Sequence, residues 1–281
     1  MNRAFSLSIL LLSCFSLLIV SCEKETTGSL TPDTSVGESA FATEISTNIF
    51  LELNGFLSES RGLFTFSKDA FQVREAGASI SSCINVSITP ADSWPKTMTI
   101  DFGEGCTTGN VTRKGKMIAV FYERFQNPGA HITLSFENFQ IGDHKIEGTQ
   151  IITNNGLNAA GIANFTHEIP SLKIISPDKT IYFSSHHNIA WIEGSGTLAP
   201  ADDVFSISGT ASGVNSAGQE FSAAILASLI RKVACSYIVS GSTLIKSGGS
   251  EMTIDYGSGD CDDKALINNA GEVKQISLSK R

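Results

Sequence analysis

Apolar residues recur every three or four positions in a stretch near the start of the chain, a spacing that places them on one face of an α-helix. The pattern predicts an amphipathic helix at about residues 38–54, packed on the rest of the domain and ended by Asn54-Gly55. The apolar positions are Phe41, Ile45, Ile49, Leu53 and Phe56. The glutamates expected to lie mostly off this stripe are Glu38, Glu44 and Glu52.

From about residue 62 onward, the chain alternates apolar and polar residues with a period of two, which is typical of β-strands with one buried face. Turn signals separate these runs, and Asn155-Gly156 is the strongest hairpin signal among them. The pattern predicts a mainly β fold, in which ten or more antiparallel strands form a meander behind the one N-terminal α-helix. Closure as a sandwich, a roll or a barrel is not distinguished. Residues 38–281 are expected to form a single β-rich domain.

One motif occurs twice, as MTIDFGEGC at residues 98–106 and as MTIDYGSGDC at residues 252–261. Each copy alternates like a strand, and the glycines that follow are expected to end that strand. A further cysteine precedes each copy, which defines two cysteine-bounded units at residues 83–122 and 235–278. An internal duplication, or a pair of structurally equivalent hairpins, explains the match.

The start of the chain has the pattern of an export signal, with Arg3 before a long apolar run. The run ends in Ile19-Val20-Ser21-Cys22, which resembles a bacterial lipobox. Residues 1–21 are therefore predicted to be a lipoprotein signal peptide, and Cys22 to carry acyl chains such as palmitate. Residues 22–37 follow as a polar, flexible tether. An uncleaved membrane anchor is the alternative.

Four cysteines remain besides the signal peptide and the acylated Cys22, and an even number in an exported chain favours disulfides. The duplication favours Cys83–Cys106 and Cys235–Cys261 among the three possible pairings. A four-cysteine metal site is the rival, but it would require closely spaced pairs such as CxxC.

The net charge of −8 argues against binding to nucleic acid, because that affinity comes largely from basic side chains on phosphate. It also argues against a polybasic surface for membranes. The expected partner is therefore the lipid bilayer, contacted through the acylated Cys22, and the expected location is the cell envelope. The outer membrane is favoured within it, with the domain in the periplasm or at the cell surface.

Acidic side chains of the repeats are candidates for metal binding or for turn formation. Asp101-Phe102-Gly103 lacks the other elements of a kinase, and Asp101 and Asp255 are expected to bond turn backbone or a cation such as Arg113. A calcium site is the minor alternative, and no other metal site is expected. Its candidates are Asp255, Asp260, Asp262 and Asp263, with Glu104 beside Asp101 in the first copy.

Histidines give no set of convergent metal ligands. His186 and His187 are adjacent, so they would face opposite sides of a strand. His131, His144 and His167 are scattered, whereas zinc requires three or four ligands that converge. No cofactor is expected.

Other catalytic and binding signatures leave two possibilities open. The chain has no G-x-S-x-G nucleophile motif. Paired catalytic carboxylates for glycoside cleavage have no fixed spacing, so they stay open. The aromatic candidates for a sugar- or peptide-binding platform, each with core packing as the alternative, are Trp94, Trp191, Tyr122, Tyr182 and Phe183.

Several motifs together resemble a group of uncharacterised lipoproteins of Bacteroidota. They are the duplicated Cys…TIDFGxGC unit, Arg113-Lys114-Gly115-Lys116, Ile146-Glu147-Gly148-Thr149 and Gly209-Thr210-Ala211-Ser212-Gly213. The resemblance covers about residues 38–280. It implies an exported all-β lipoprotein, and it implies no activity and no site residues.

The export signal predicts a membrane-anchored envelope lipoprotein. Because no catalytic motif is found in the sequence, this lipoprotein is expected to be a non-catalytic binding or structural module. Its ligand could be a glycan or another envelope protein, the latter docking at an uncovered sheet edge. A hydrolase of glycans or envelope polymers is the alternative.

Overall fold

The computed structural model describes residues 34–59, 81–197 and 199–278, all within one compact unit. The predicted signal peptide, Cys22 and most of the predicted tether lie outside these residues. The described part begins with helix α1, Thr34–Glu59. The strands that follow are β1 Asn85–Thr89, β2 Lys96–Asp101, β3 Cys106–Thr108, β4 Val111–Phe121, β5 His131–Ile141, β6 His144–Leu157, β7 Ala163–Ile175, β8 Thr180–Glu193, β9 Val204–Val214, β10 Glu220–Lys232, β11 Ser240–Ser247, β12 Ser250–Ser258, β13 Lys264–Asn269 and β14 Glu272–Ser277. A short 3-10 turn, Pro200–Asp202, precedes β9.

The strands form one antiparallel sheet in which almost every strand pairs with its neighbour in the chain. The order is β1-β2-β4-β5 and then consecutively to β14, while the short β3 pairs with β4 only. This arrangement confirms the predicted mainly β, antiparallel meander with one N-terminal helix. A single sheet also differs from the two packed sheets of a sandwich.

Helix α1 is longer than the predicted 38–54, because it begins at Thr34 and continues through Asn54-Gly55 to Glu59. Asn54-Gly55 does not end the helix. A glycine stops a helix when it adopts a left-handed conformation, and Gly55 is not among the glycines with positive φ. The residues beyond it have a reason to stay helical, since the ring of Phe56 packs 6.4 Å from that of Phe102.

The helix lies inside the curled sheet, and this corrects the prediction of an amphipathic helix with one polar face. Between residues 35 and 50 every side chain except Gly37 is buried, and Glu38 and Glu44 are each only 4% exposed. Strands from distant parts of the sheet reach the helix, since Phe41 contacts His144 of β6 and Phe50 contacts Phe205 of β9. The alternating apolar faces of the strands therefore close around α1.

Polar side chains of α1 fix the helix to particular strands and turns, because a buried polar group is costly unless it is hydrogen-bonded. Glu44 Oε1 accepts the N–H of Ile238 at 2.6 Å, and Glu52 pairs with Arg113 at 2.5 Å. The other bonds between α1 and the sheet include Ser35 to Ser247, Ser35 to Asn215, Glu38 to Ser216 and Asn48 to Arg231.

Arg231, which is 2% exposed, joins the helix to the loop that connects β10 and β11. Its guanidinium donates to the Asn48 side chain at 3.0 Å. It also donates to the backbone carbonyls of Lys232, Cys235, Ser236 and Tyr237. One buried cation thus organises the whole loop, because five donors in a fixed plane can satisfy several carbonyls at once.

Glycines allow neighbouring strands to approach closely where the sheet bends. Gly148 of β6 and Gly209 of β9 have φ of 126° and 123°, values that other residues rarely adopt. A Cβ at either position would overlap a carbonyl oxygen of the adjacent strand, that of Ser171 or of His186. Such close contacts explain why glycine occupies strand interiors here.

The two cysteine-bounded units are equivalent hairpins, each closed by a disulfide. Cys83 and Cys106 bracket the β1–β2 hairpin with a Cα–Cα distance of 5.5 Å, and Cys235 and Cys261 bracket the β11–β12 hairpin with one of 5.1 Å. Both predicted pairings are confirmed. The second strand of each hairpin carries the repeated M-T-I-D sequence, so the duplication in the sequence is also a duplication in structure.

Candidate functional site

The aspartates of the repeat shape turns. Asp101 Oδ1 accepts the N–H of Gly103, and Asp255 Oδ1 accepts the N–H of Gly257, both at 2.8 Å. This confirms the expectation that these carboxylates bond local backbone. The expected cation is different, because Lys116 lies 3.8 Å from Asp101. Arg113 instead pairs with Glu52 of the helix.

The acidic cluster of the second unit does not form a calcium cage. Asp262 Oδ1 accepts the N–H of Lys264 at 3.0 Å, which is a local turn contact like that of Asp255. Within residues 34–59, 81–197 and 199–278, no three or more His, Cys, Asp or Glu side chains converge to hold a metal ion. The calcium candidates Asp255, Asp260, Asp262 and Asp263 therefore stay without a site.

The histidines belong to separate environments. His144 Nδ1 lies 2.8 Å from Ser176 Oγ, and the His131 ring stacks on Tyr122 with centroids 4.6 Å apart. As predicted for adjacent strand residues, His186 faces outward and His187 is buried.

A row of polar side chains crosses the interior beside α1. His167 Nε2 donates to Gln150 Oε1 at 2.9 Å, and His167 lies opposite His187 in the β7–β8 pairing. Burial lowers the pKa of His167 to about 3, with the charge of His187 as a smaller cause. Burial likewise lowers the pKa of His187 to about 4, with a smaller effect of His186. Both imidazoles are thus neutral at pH 7.

The aromatic candidates divide between the core and the surface. Phe183 and Trp191 are buried, and the Trp191 indole donates to Asp203 at 3.1 Å, so core packing is correct for both. Trp94 is partly buried against the core. Tyr122 and Tyr182 are 49% and 47% exposed, so they are the two that a ligand could reach.

A groove of about 520 Å³ runs across strands β7 to β11 on the face of the sheet opposite α1. The volume is within the range of small-ligand sites. The groove exists because small side chains form its floor, where longer ones would fill the space. The outward-facing residues that form it include Ser184, His186, Thr210, Ser212, Ser222 and Lys246.

Strand register arranges these residues in two rows across the sheet. Ser184, Ser212 and Ser222 are paired in succession on β8, β9 and β10, and Lys246 of β11 follows Ser222. Neighbouring strands are about 4.8 Å apart, so the three hydroxyls form a line about 10 Å long. The second row contains His186, Thr210, Ala224 and Leu244.

Charged side chains at the borders of the groove are paired with one another. His186 Nδ1 lies 3.1 Å from Glu168 Oε1 on one side, and Lys246 Nζ lies 2.5 Å from Glu251 Oε1 on the other. Tyr182 stands two residues before Ser184 on the same face of β8, with Lys173 Nζ 6.0 Å from its ring centroid. The groove therefore offers hydroxyls and small apolar side chains between paired ionisable groups, and the exposed ring of Tyr182 lies beside it.

Sequence reasoning missed the groove, although one signal was present. Between Val204 and Val214, the outward positions of β9 are Ser206, Ser208, Thr210 and Ser212. Four successive small hydroxyl residues on an exposed strand face leave space that Lys, Glu or Arg would normally occupy. The partner strands were needed to show that this space continues across the sheet.

Within the part of the chain that the structure describes, no helix is long and apolar enough to cross a membrane. Comparisons with models of protein families, with curated proteins and with solved structures find no match for this chain.

Proposed function

We propose that this protein is a lipid-anchored binding module of the bacterial cell envelope, held in the outer membrane by acyl chains on Cys22. Its ligand lies in the groove across β7 to β11. The observation that carries the proposal is the groove itself, since α1 packs in the interior and the groove offers about 520 Å³ on the outer face of the sheet. The disulfides support an exported chain, because such bonds persist in oxidising compartments.

Anchoring depends on a single thiol in this proposal. Replacing Cys22 with serine removes the acylation site, and we expect the protein to move from the membrane fraction to the soluble periplasmic or secreted fraction. Fractionation and immunoblotting measure this, with Ser21→Ala as the matched control that keeps the cysteine. A Cys22→Ser protein that stays in membranes would contradict the lipid anchor.

Binding depends on the open floor of the groove. In the wild type, we expect the envelope fraction that contains the ligand to raise the melting temperature by a few degrees. Ser212→Trp places a large ring at the centre of the groove, and we expect it to abolish this increase. Thermal unfolding with separated polysaccharide, peptide and lipid fractions measures this. Ser208→Trp is the control, because Ser208 is exposed on the same face of β9 outside the groove. An equal increase in melting temperature for Ser212→Trp and Ser208→Trp would contradict the assignment of the groove as the ligand-binding site.

A hydrolase is the second candidate, and one contact favours it. The Glu168–His186 pair resembles a carboxylate-oriented general base, and it borders the groove. Against it, the strand N–H groups on the groove floor are engaged in the sheet, so they are poor candidates for stabilising an oxyanion. Recovery of an intact ligand after prolonged incubation supports the binding module, whereas shortened products support the hydrolase.

A further inference from the structure

We infer that the groove binds a neutral oligosaccharide, with one sugar ring against Tyr182 and with sugar hydroxyls on the row formed by Ser184, Ser212 and Ser222. This inference rests on the proposed function, and it names the chemical class of the ligand.

Charge in and around the groove disfavours a ligand with many anionic groups. Lys246 is paired with Glu251, His186 with Glu168, and Lys173 with Glu147 at 3.7 Å. Both lysines thus have a carboxylate nearby, although Lys145 also contacts Glu147 at 2.7 Å, and a ligand with many anionic groups would have to compete with these carboxylates. The net charge of −8 adds long-range repulsion of polyanions. An uncharged ligand faces neither this competition with carboxylates nor this long-range repulsion.

Hydrogen-bonding capacity on the groove floor matches a ligand that both donates and accepts. Serine and threonine hydroxyls have one donor and two acceptor sites each, as sugar hydroxyls do. Ser184 Oγ already donates to the Pro170 carbonyl at 2.9 Å, so its remaining capacity is to accept. A purely apolar ligand would cover these hydroxyls without pairing them, which costs free energy. A chain of hydroxyl-bearing rings along the row pairs with them instead.

Tyr182 supplies the apolar surface that hydroxyl contacts alone lack. Its ring is 47% exposed on the same face of β8 as Ser184, two residues away, and it lies opposite Val214 in the row next to the serine row. An aromatic ring has a large apolar face and a polar tip, so it can cover the C–H face of a sugar while its hydroxyl stays in water. Such anchors commonly contribute a large share of binding energy. Strand register therefore places the ring beside the groove, next to the Ser184 end of the serine row.

Calorimetric titration with a defined panel tests this inference. The probes are the neutral hexasaccharides of cellulose, amylose and β-mannan, with hexagalacturonate as the anionic comparison. We expect at least one neutral hexasaccharide to bind, and Tyr182→Ala to weaken that binding about tenfold or more. The matched control is Tyr122→Ala, which removes an equally exposed ring directly after β4, a strand that does not line the groove. Circular dichroism confirms that both variants remain folded.

Three results would overturn the inference: binding of no neutral hexasaccharide at about 10 mM, binding of hexagalacturonate alone, or equal losses in Tyr182→Ala and Tyr122→Ala. The proposed function fails separately. If a peptide or lipid fraction stabilises the wild type and not Ser212→Trp, the groove binds another class of ligand and only the oligosaccharide is excluded. If no fraction stabilises the wild type, both the proposed binding function and the oligosaccharide ligand are contradicted.

Discussion

Lowering the pH from 7 to 5 should destabilise the protein by about 4 kcal/mol through two buried histidines alone. His167 and His187 have folded-state pKa values of about 3 and about 4, well below the value of about 6.5 of an unfolded chain. Below pH 6.5 the unfolded chain therefore binds more protons than the folded one. The free energy of unfolding then decreases by up to about 1.4 kcal/mol per pH unit for each histidine, and this decrease levels off below about pH 3.

Urea unfolding at pH 7, 6 and 5 measures this loss, and a neutral double variant isolates its cause. In His167→Gln/His187→Gln, amides replace both imidazoles, so the loss of stability between pH 7 and 5 should shrink by about 4 kcal/mol. His131→Gln removes an exposed imidazole and should retain the acid sensitivity of the wild type. If the double variant loses as much stability on acidification as the wild type, the buried histidines are not responsible.

Replacing Arg231 with methionine should destabilise the fold by about 3–5 kcal/mol. Methionine keeps much of the apolar volume but donates no hydrogen bond. The variant would leave the Asn48 side chain and four backbone carbonyls of the β10–β11 loop without their common donor. Each buried acceptor that loses its donor costs about 1 kcal/mol or more. Urea unfolding of the oxidised protein at pH 7 measures the loss.

The same change at an exposed cation is the control. Lys246 is about half exposed and is paired with Glu251 on the surface, so Lys246→Met should change stability by less than about 1 kcal/mol. A similar loss for Arg231→Met and Lys246→Met would show that the buried guanidinium does not hold the loop. Retained disulfides, checked by mass spectrometry, exclude reduction as the cause.

Features encoded within a few residues were predictable from the sequence. Asp101 and Asp255 form turns with glycines two positions later, and the repeated motif contains both partners. The disulfide pairing was accessible for the same reason, since the duplicated hairpin placed the two cysteines of each unit at equivalent positions. Period-two alternation gave the antiparallel meander because each strand pairs with its neighbour in the chain.

Burial of α1 was not predictable from its own pattern. Glu44 and Asn48 mark a polar face in an isolated helix, yet Ile238 and Arg231 of the distant β10–β11 region donate hydrogen bonds to their side-chain oxygens. Only the curled sheet brings those partners to the helix. The groove was missed for a related reason, since its floor combines residues from several strands and no single segment contains it.

Contacts of α1 with the sheet have a kinetic consequence. Most strands join their neighbours through short connections, so hairpins close at little entropic cost and form early. The bond from Ser35 to Ser247 instead joins residues 212 positions apart. Such pairings wait until nearly all the chain is present, and we expect wrapping of the preformed hairpins around the helix to limit the folding rate. The first segment of the domain to be synthesised would thus be among the last to reach its native surroundings.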